Sequence, residues 1–217
     1  MTIVLFDFDG TLADTLPTVL AIANRLAPEF GYPPTGATEW EQLRSLSSRE
    51  ILRSKRMPRW KLPWVLRRLS QELRSELPRL TWIPGIEPVL QQLVAEGHSL
   101  GIVTSNANPT VAAFLAHQGG ALPFRVMQTG VGILGKARVL GRVVWWQGWD
   151  PRSVLYVGDE VRDVEAARRA GLRSVAVTWG FNTATALAAA QPDYLIHDPR
   201  SLLTLVSPPV GEIWGGW

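Results

Sequence analysis

Cysteine is absent from the 217 residues of this chain. Its absence excludes disulfides, thiolate nucleophiles and cysteine-bound zinc. Histidine is scarce, and His98, His117 and His197 stand too far apart in sequence to read as a metal cluster. No stretch approaches the ~18 consecutive apolar residues of a membrane span. The apolar run Ile3 to Phe6 has no Lys or Arg before it and stops at Asp7, so it does not read as a signal peptide. There is no internal repeat, no low-complexity tract and no Gly/Ser linker. The expectation from these absences is a cytoplasmic protein without a membrane partner.

What is present is a chain with 46% hydrophobic residues, enough to bury a full core. Apolar, β-branched runs at 2–7, 99–104, 124–128, 153–158, 173–178 and 194–196 read as strands. Helical patterns near 86–97, 108–118, 134–147, 160–170, 183–190 and 199–206 separate most of them. Such alternation predicts an α/β fold, a doubly wound parallel sheet covered on both faces. The first strand is the exception, because about 75 residues, 8–82, pass before the alternation resumes, and these read as helices at 14–29, 38–56 and 60–78. The expected organisation is a core of residues 1–13 and 83–206, an inserted all-helical unit over 14–82, and an irregular tail over 207–217.

Net charge is +3, unevenly distributed: residues 14–84 carry 12 basic against 7 acidic residues, and the remainder 10 against 12. A basic segment attracts anions, although a solvated helix face explains most such segments. Of the ten tryptophans, Trp40, Trp60, Trp64 and Trp82 lie in or beside the insertion, and most of the ten are expected to pack in the core or between helices.

Chemistry concentrates where predicted strands end. The first strand runs into Asp7 and Asp9, followed by Gly10 and Thr11. Two acids one residue apart beside a buried strand repel each other and lose hydration, which a cation or a reaction would compensate; an Asp-Gly hairpin turn is the simpler alternative. After 99–104 come Thr104, Ser105 and Asn106, a hydroxyl and unpaired backbone N–H groups at a helix start, suited to an anion or merely to capping. After 153–158 come Asp159 and, four residues on, Asp163, which one helical turn would place on the same face; acids there also suit a helix dipole. Lys136 supplies a cation at the start of another helix.

Together these residues resemble the haloacid dehalogenase superfamily. Asp7-x-Asp9-x-Thr11 matches its first motif, Thr104 its second, Lys136 its third and Gly158-Asp159-x-x-x-Asp163 its fourth, in the right order. The resemblance covers almost the whole chain, including a helical cap between the first and second motifs as in the phosphoglycolate-phosphatase-like branch. It implies a Rossmann-like core with strand order 5-4-1-2-3 and a Mg²⁺-dependent phosphomonoesterase acting on a small anionic phosphorylated metabolite. On that resemblance Asp7 is the nucleophile, Asp9 the general acid and base, and Thr104, Ser105 and Lys136 hold the phosphoryl oxygens while Thr11 orients the loop. Mg²⁺ is held by Asp7, Asp159, Asp163 and, through its carbonyl, Asp9. The chain departs from the family pattern at Ala137, where Pro is frequent, and at Glu160, where Ser or Thr is frequent.

Other readings compete. Gly130 to Ala137 nearly fits a phosphate-binding P-loop, but Ala137 lacks the hydroxyl that such a loop offers Mg²⁺. Asp7 to Thr18 fails as a calcium loop, with Leu12 at the glycine position and Thr18 at the glutamate position. A halide-releasing enzyme would not need Asp9, and a sugar mutase would need a His near Val19. An inorganic pyrophosphatase or a nucleotide phosphatase remains open within the same superfamily. A binding module using the basic stretch Arg49 to Arg68 on nucleic acid would have no use for buried acids, so a nucleic-acid partner is not expected.

Overall fold

The computed structural model describes residues 1–46, 48–55, 57–120, 122–132 and 135–206. The tail expected over 207–217 lies outside the described residues.

The six apolar runs form one parallel sheet: β1 (Ile3–Phe6), β2 (Ser99–Val103), β3 (Phe124–Gln128), β4 (Val154–Gly158), β5 (Arg173–Val177) and β6 (Tyr194–Ile196). Their spatial order is β3-β2-β1-β4-β5-β6. The expected order 5-4-1-2-3 is thus extended by one strand. β6 pairs with the outer side of β5, taking up backbone groups that a five-stranded sheet would leave open beside the buried Val175, Ala176 and Val177.

β1 is central and buried at all four residues, as expected of a parallel strand covered on both faces. Alternation divides its side chains: Val4 and Phe6 join the larger cluster with Leu90, Ile102 and Phe114, while Ile3 and Leu5 join Leu140, Val143 and Tyr156 on the opposite face. Because the partners of Ile3 are Ser99 in β2 and Val154 in β4, the carboxyl ends of β1, β2 and β4 lie side by side. Doubly wound sheets bind ligands at that edge.

The inserted segment after β1 carries four α-helices: α1 (Leu16–Phe30), α2 (Ala37–Leu43), α3 (Ser48–Ser54) and α4 (Leu62–Ser75). The single helix expected over 38–56 is two, since α2 ends at Arg44 and its last carbonyls are taken up by turns at Ser45 and Leu46. α1 packs on α4, and Arg25 and Arg68 reach Glu72 across or along that pair. The segment's two ends are tied together: Asp14 N–H donates to Thr81 O and Ile83 N–H to Leu12 O, at 2.9 and 2.8 Å.

The remaining helices follow as α5 (Ile86–Ala95), α6 (Asn108–His117), α7 (Lys136–Trp146), α8 (Val161–Arg169), α9 (Ala184–Ala189) and α10 (Ser201–Val206). No helix among the described residues is long and apolar enough to cross a membrane.

Tryptophan does not serve the core as expected. Among the described residues none of the eight is fully buried, and Trp60, Trp64, Trp145 and Trp146 are exposed. The buried stripe of α7 (Lys136, Leu140, Val143, Val144) ends just before Trp145 and Trp146, which project beyond the core. Trp82 does pack inward, edge-on against Phe114.

Candidate active site

The loop after β1 is a tight turn in which Leu12 and Ala13 N–H both donate to Phe8 O and Gly10 N–H donates to Ala13 O. Gly10 adopts φ +70°, a conformation glycine tolerates, and an added Cβ would meet Asp159 Oδ2 at 2.4 Å. Close approach therefore dictates this glycine as much as backbone angle. The turn leaves Asp7 buried and Asp9 partly exposed.

Asp7 is the centre of the cluster. Its Oδ2 accepts from Lys136 Nζ at 2.8 Å, while its Oδ1 is buried without a hydrogen-bond partner. An unpaired buried carboxylate oxygen is costly unless something else binds it. Asp159 and Asp163 supply the rest: one ligand atom from each of the three acids lies within 4.8 Å of the others. Asp159 Oδ1 accepts from Thr11 Oγ1 at 2.7 Å and its Oδ2 from Phe181 N–H at 2.7 Å. Asp163 Oδ1 accepts from Lys136 Nζ at 2.6 Å and its Oδ2 from Glu160 N–H at 3.1 Å.

The local reasons differ for the two acids. Asp159 follows the last residue of β4, whereas Asp163 is the third residue of α8 and closes a capping box with Glu160. The dipole-capping reading of Asp163 is therefore correct as far as it goes, since one carboxylate oxygen serves the helix and the other serves Lys136. Gly158 permits this approach, because a Cβ there would strike Asp163 at 2.5 Å.

Charge balance sets the titration. Burial pushes Asp7 up, yet the ammonium of Lys136 and the guanidinium of Arg162 outweigh it and hold Asp7 below the usual carboxylate range. Lys136 resists its own desolvation because Asp163 and Asp7 face it, and it stays protonated. Asp159 is pushed well up by burial and by Glu160, Asp163 and Asp7. Burial and the charge of Asp7 raise Asp9 to about 7, against the amide of Asn106, which donates to Asp9 Oδ1 and Oδ2 at 3.2 and 3.1 Å.

An orphaned carboxylate oxygen, three converging acids and an all-oxygen donor set fit a hard divalent cation. Such an ion would supply the positive charge that the raised Asp159 lacks.

Thr104 and Ser105 lie at the end of β2, next to β1. The capping alternative for them does not hold, since the residue before α6 is Ala107 and no side chain caps that helix. Thr104 Oγ1 instead accepts from Asn106 N–H at 3.1 Å, and Ser105 is half-buried. The P-loop alternative finds no support here, because Lys136 sits among the acids Asp7 and Asp163 at the sheet edge and Ala137 after it has no hydroxyl.

Three contributors have no role in the sequence reading: Asn106, Phe181 and Arg162. Asn106 stands in the predicted loop, but nothing in its spacing indicates that its amide grips Asp9. Phe181 gives Asp159 only its backbone N–H, a contact to which its side chain is irrelevant. Arg162, beside Asp163, pairs with Glu160.

Comparison with known proteins accords with this geometry. A family model described as haloacid dehalogenase-like hydrolase matches residues 4–177. The chain is 48% identical over 207 residues to a phosphoglycolate phosphatase of Synechococcus elongatus, covering 95% of this chain and 98% of that protein. It is 28% identical to phosphoglycolate phosphatase 1 of Pseudomonas aeruginosa, covering 93% of this chain and 78% of that protein. In fold it is similar to a haloacid dehalogenase-like hydrolase from Streptococcus pneumoniae, with a TM-score of 0.79, 22% identity, and coverage of 95% and 99% of the two chains.

Proposed function

Since the chain belongs to the haloacid dehalogenase-like hydrolase family and is a phosphatase, we propose that it hydrolyses a small carboxylated phosphate ester, 2-phosphoglycolate first among candidates, through an aspartyl-phosphate on Asp7 with Mg²⁺ bound. The substrate class rests on the 48% identity, over nearly both full lengths, to a phosphoglycolate phosphatase. The mechanism rests on one observation: a buried carboxylate with one oxygen on a lysine ammonium and the other unpaired. The basic balance of residues 14–84 suits an anionic substrate. A cytoplasmic setting belongs to the same reading, in keeping with a chain free of cysteine.

Asp7, held ionised by Lys136, attacks phosphorus; the ester P–O bond breaks as the new P–O bond to the carboxylate forms. Asp9, with an affinity for protons near neutrality, delivers its proton to the leaving alkoxide oxygen. It then takes a proton from the water that attacks the acyl phosphate, releasing inorganic phosphate and restoring Asp7. Asn106 keeps the Asp9 carboxyl aimed through both steps. Lys136, the Thr104 hydroxyl and the Ser105 N–H hold the phosphoryl oxygens. Mg²⁺, held by Asp7, Asp159, the Asp9 carbonyl and Asp163, supplies charge neutralisation of the transferring group.

Residues 14–82 act in this proposal as a cap that closes over the ester and excludes water. The segments Leu12–Asp14 and Thr81–Ile83, joined by an isolated β-bridge, give it two adjacent tethers.

Two expected results test the site's proton inventory. Asp9→Asn should slow formation and breakdown of the phosphoenzyme by ~10²–10⁴ each; rapid-quench trapping that finds both rates unaltered removes the acid and base role. Mg²⁺ should bind more tightly as pH rises, because the raised Asp159 binds a proton that the metal must displace. Calorimetry in buffers of different ionisation enthalpy should register that released proton, and a metal affinity flat in pH contradicts it.

A screen of phosphate esters with Mg²⁺ present, 2-phosphoglycolate beside pyrophosphate and a nucleotide monophosphate, tests the substrate assignment. Preference for pyrophosphate or the nucleotide would replace it.

A further inference from the structure

Arg44, at the carboxyl end of α2, is more than thirty residues from any motif residue, yet it holds the strand-end loop that touches Asp159. Its Nε donates to Phe181 O at 3.1 Å and its Nη2 to Gly180 O at 2.9 Å. Its own carbonyl accepts from Thr183 N–H at 3.1 Å and from Asn182 Nδ2 at 2.8 Å, and Asn182 Nδ2 also reaches Leu46 O at 3.3 Å. Trp40, one helical turn earlier, meets the Phe181 ring edge-on. Four hydrogen bonds at one residue make this a specific joint rather than a surface ion pair. Glu41 takes up only the outer Nη1, at 3.4 Å.

The opposite side of the same loop is fastened to the acids. Phe181 N–H donates to Asp159 Oδ2, Asn182 N–H to Asp159 O at 3.2 Å, and Val161 N–H to Asn182 Oδ1 at 2.9 Å. Trp179 Nε1 donates to Thr11 O at 3.2 Å, and Thr11 in turn holds Asp159 Oδ1. Gly180 lies so close that a Cβ there would meet Asp159 Oδ2 at 2.2 Å. The segment Trp179–Thr183 is thus clamped between α2 on one side and Asp159 with Thr11 on the other. Any displacement of its backbone moves the N–H that fixes one oxygen of Asp159.

We infer that Arg44 is a positioning residue for the metal site: by holding the Gly180 and Phe181 carbonyls it keeps the Phe181 N–H on Asp159, so that seating of the inserted helices and cation binding are coupled. The coupling is reciprocal by linkage, so a bound cation also favours the seated helices. A partner group outside the ligand shell that orients a ligating carboxylate carries a measurable share of metal affinity. The inference rests on the proposed metal site, and its test separates the two.

Mg²⁺ binding is measured by calorimetry on wild type, Arg44→Ala and Arg44→Lys without substrate, beside steady-state kinetics on the best ester and thermal unfolding in chelator. Arg44→Ala should raise the Mg²⁺ dissociation constant about 5- to 10-fold. Its kcat should fall at limiting Mg²⁺ and recover when Mg²⁺ is raised, with KM for the ester changed less than about twofold. Arg44→Lys, which reaches one carbonyl instead of two, should restore part of the affinity. An unchanged Mg²⁺ constant with a raised KM would make Arg44 a substrate contact and overturn the inference. So would a Mg²⁺ constant that Arg44→Lys fails to restore at a wild-type unfolding midpoint. Should Arg44→Ala not fold, Arg44→Gln carries the same test. A wild-type protein that binds no Mg²⁺ removes the metal reading itself, a result distinct from a wild type that binds and variants that bind equally well.

Discussion

Asp7→Asn is expected to lower turnover by at least about 10⁴-fold while the protein remains folded, a loss typical of deleting a covalent nucleophile. The substitution keeps the size of the side chain but turns one acceptor oxygen into an NH2 donor and removes the anionic nucleophile that attacks phosphorus. It also removes a buried charge next to Asp9, Asp159 and Asp163, each of which the Asp7 charge pushes up. Those three groups should therefore titrate lower in the variant, provided Lys136 stays protonated against Asp163. Turnover under excess Mg²⁺ and a carboxyl-resolved NMR titration read the two effects separately. Near-normal turnover in Asp7→Asn would end the aspartyl-phosphate proposal; turnover lost together with the native spectrum would show only that the fold was damaged, and Asp7→Ser would then be needed.

The second large effect concerns Lys136, whose stem and ammonium are almost wholly enclosed. It is gripped by Asp7 and Asp163 and lies 5.6 Å from the centre of the Tyr156 ring, whose hydroxyl is tied to Val103 O at 3.0 Å. Lys136→Met keeps the volume of the stem and deletes the charge. Breaking a buried pair by removing one partner costs about 3–5 kcal/mol, far more than an exposed ion pair is worth. The sign with pH follows from Asp7, whose folded-state affinity for protons is depressed by Lys136. Its contribution to stability is present above the unfolded carboxylate range and fades as pH falls through the folded value. The variant's deficit in unfolding midpoint, measured in chelator, should thus be full above about pH 4 and shrink as pH falls below it. On the catalytic side the loss of one positioned cation should cost ~10²–10³ in kcat. A pH-independent deficit would mean that packing, not charge, is what Lys136 contributes.

The parts of this molecule that could be read from the chain are those governed by local composition. β1 to β6 lie within a residue or so of the predicted runs, because β1 and β4, buried on both faces, are apolar throughout and the outer strands keep β-branched or aromatic residues. Asp7, Asp9, Asp159 and Asp163 stand out for the complementary reason: charges directly after such strands are conspicuous. Lys136 is found only by the family pattern, since a lysine at a helix start is commonplace.

The contacts that could not be read share a different physical origin. The hold of Asn106 on Asp9 spans 97 positions, and that of Phe181 on Asp159 uses a backbone group that every residue but proline carries. Neither leaves a trace in composition. The division of residues 38–56 into α2 and α3 depends on turns at Ser45 and Leu46 where no Gly or Pro marks the break. The exposed tryptophans fail for a third reason, because a large apolar side chain carries no label for whether its helix has run past the core.

The placement of β1 bears on how the protein comes to exist in a cell. Of the six strands β1 is synthesised first, yet it must end in the middle of the sheet, between partners at Ser99 and Val154. At ~5–20 residues per second, its second partner is synthesised roughly 8–30 s later. Throughout that interval Ile-Val-Leu-Phe is a wholly apolar strand with at least one open edge, a hazard for association with other nascent chains. The helices of residues 14–82 are made first and can form from near neighbours in the chain, whereas the sheet waits on contacts of long sequence separation. Chaperone demand during synthesis should therefore persist until β4 is complete.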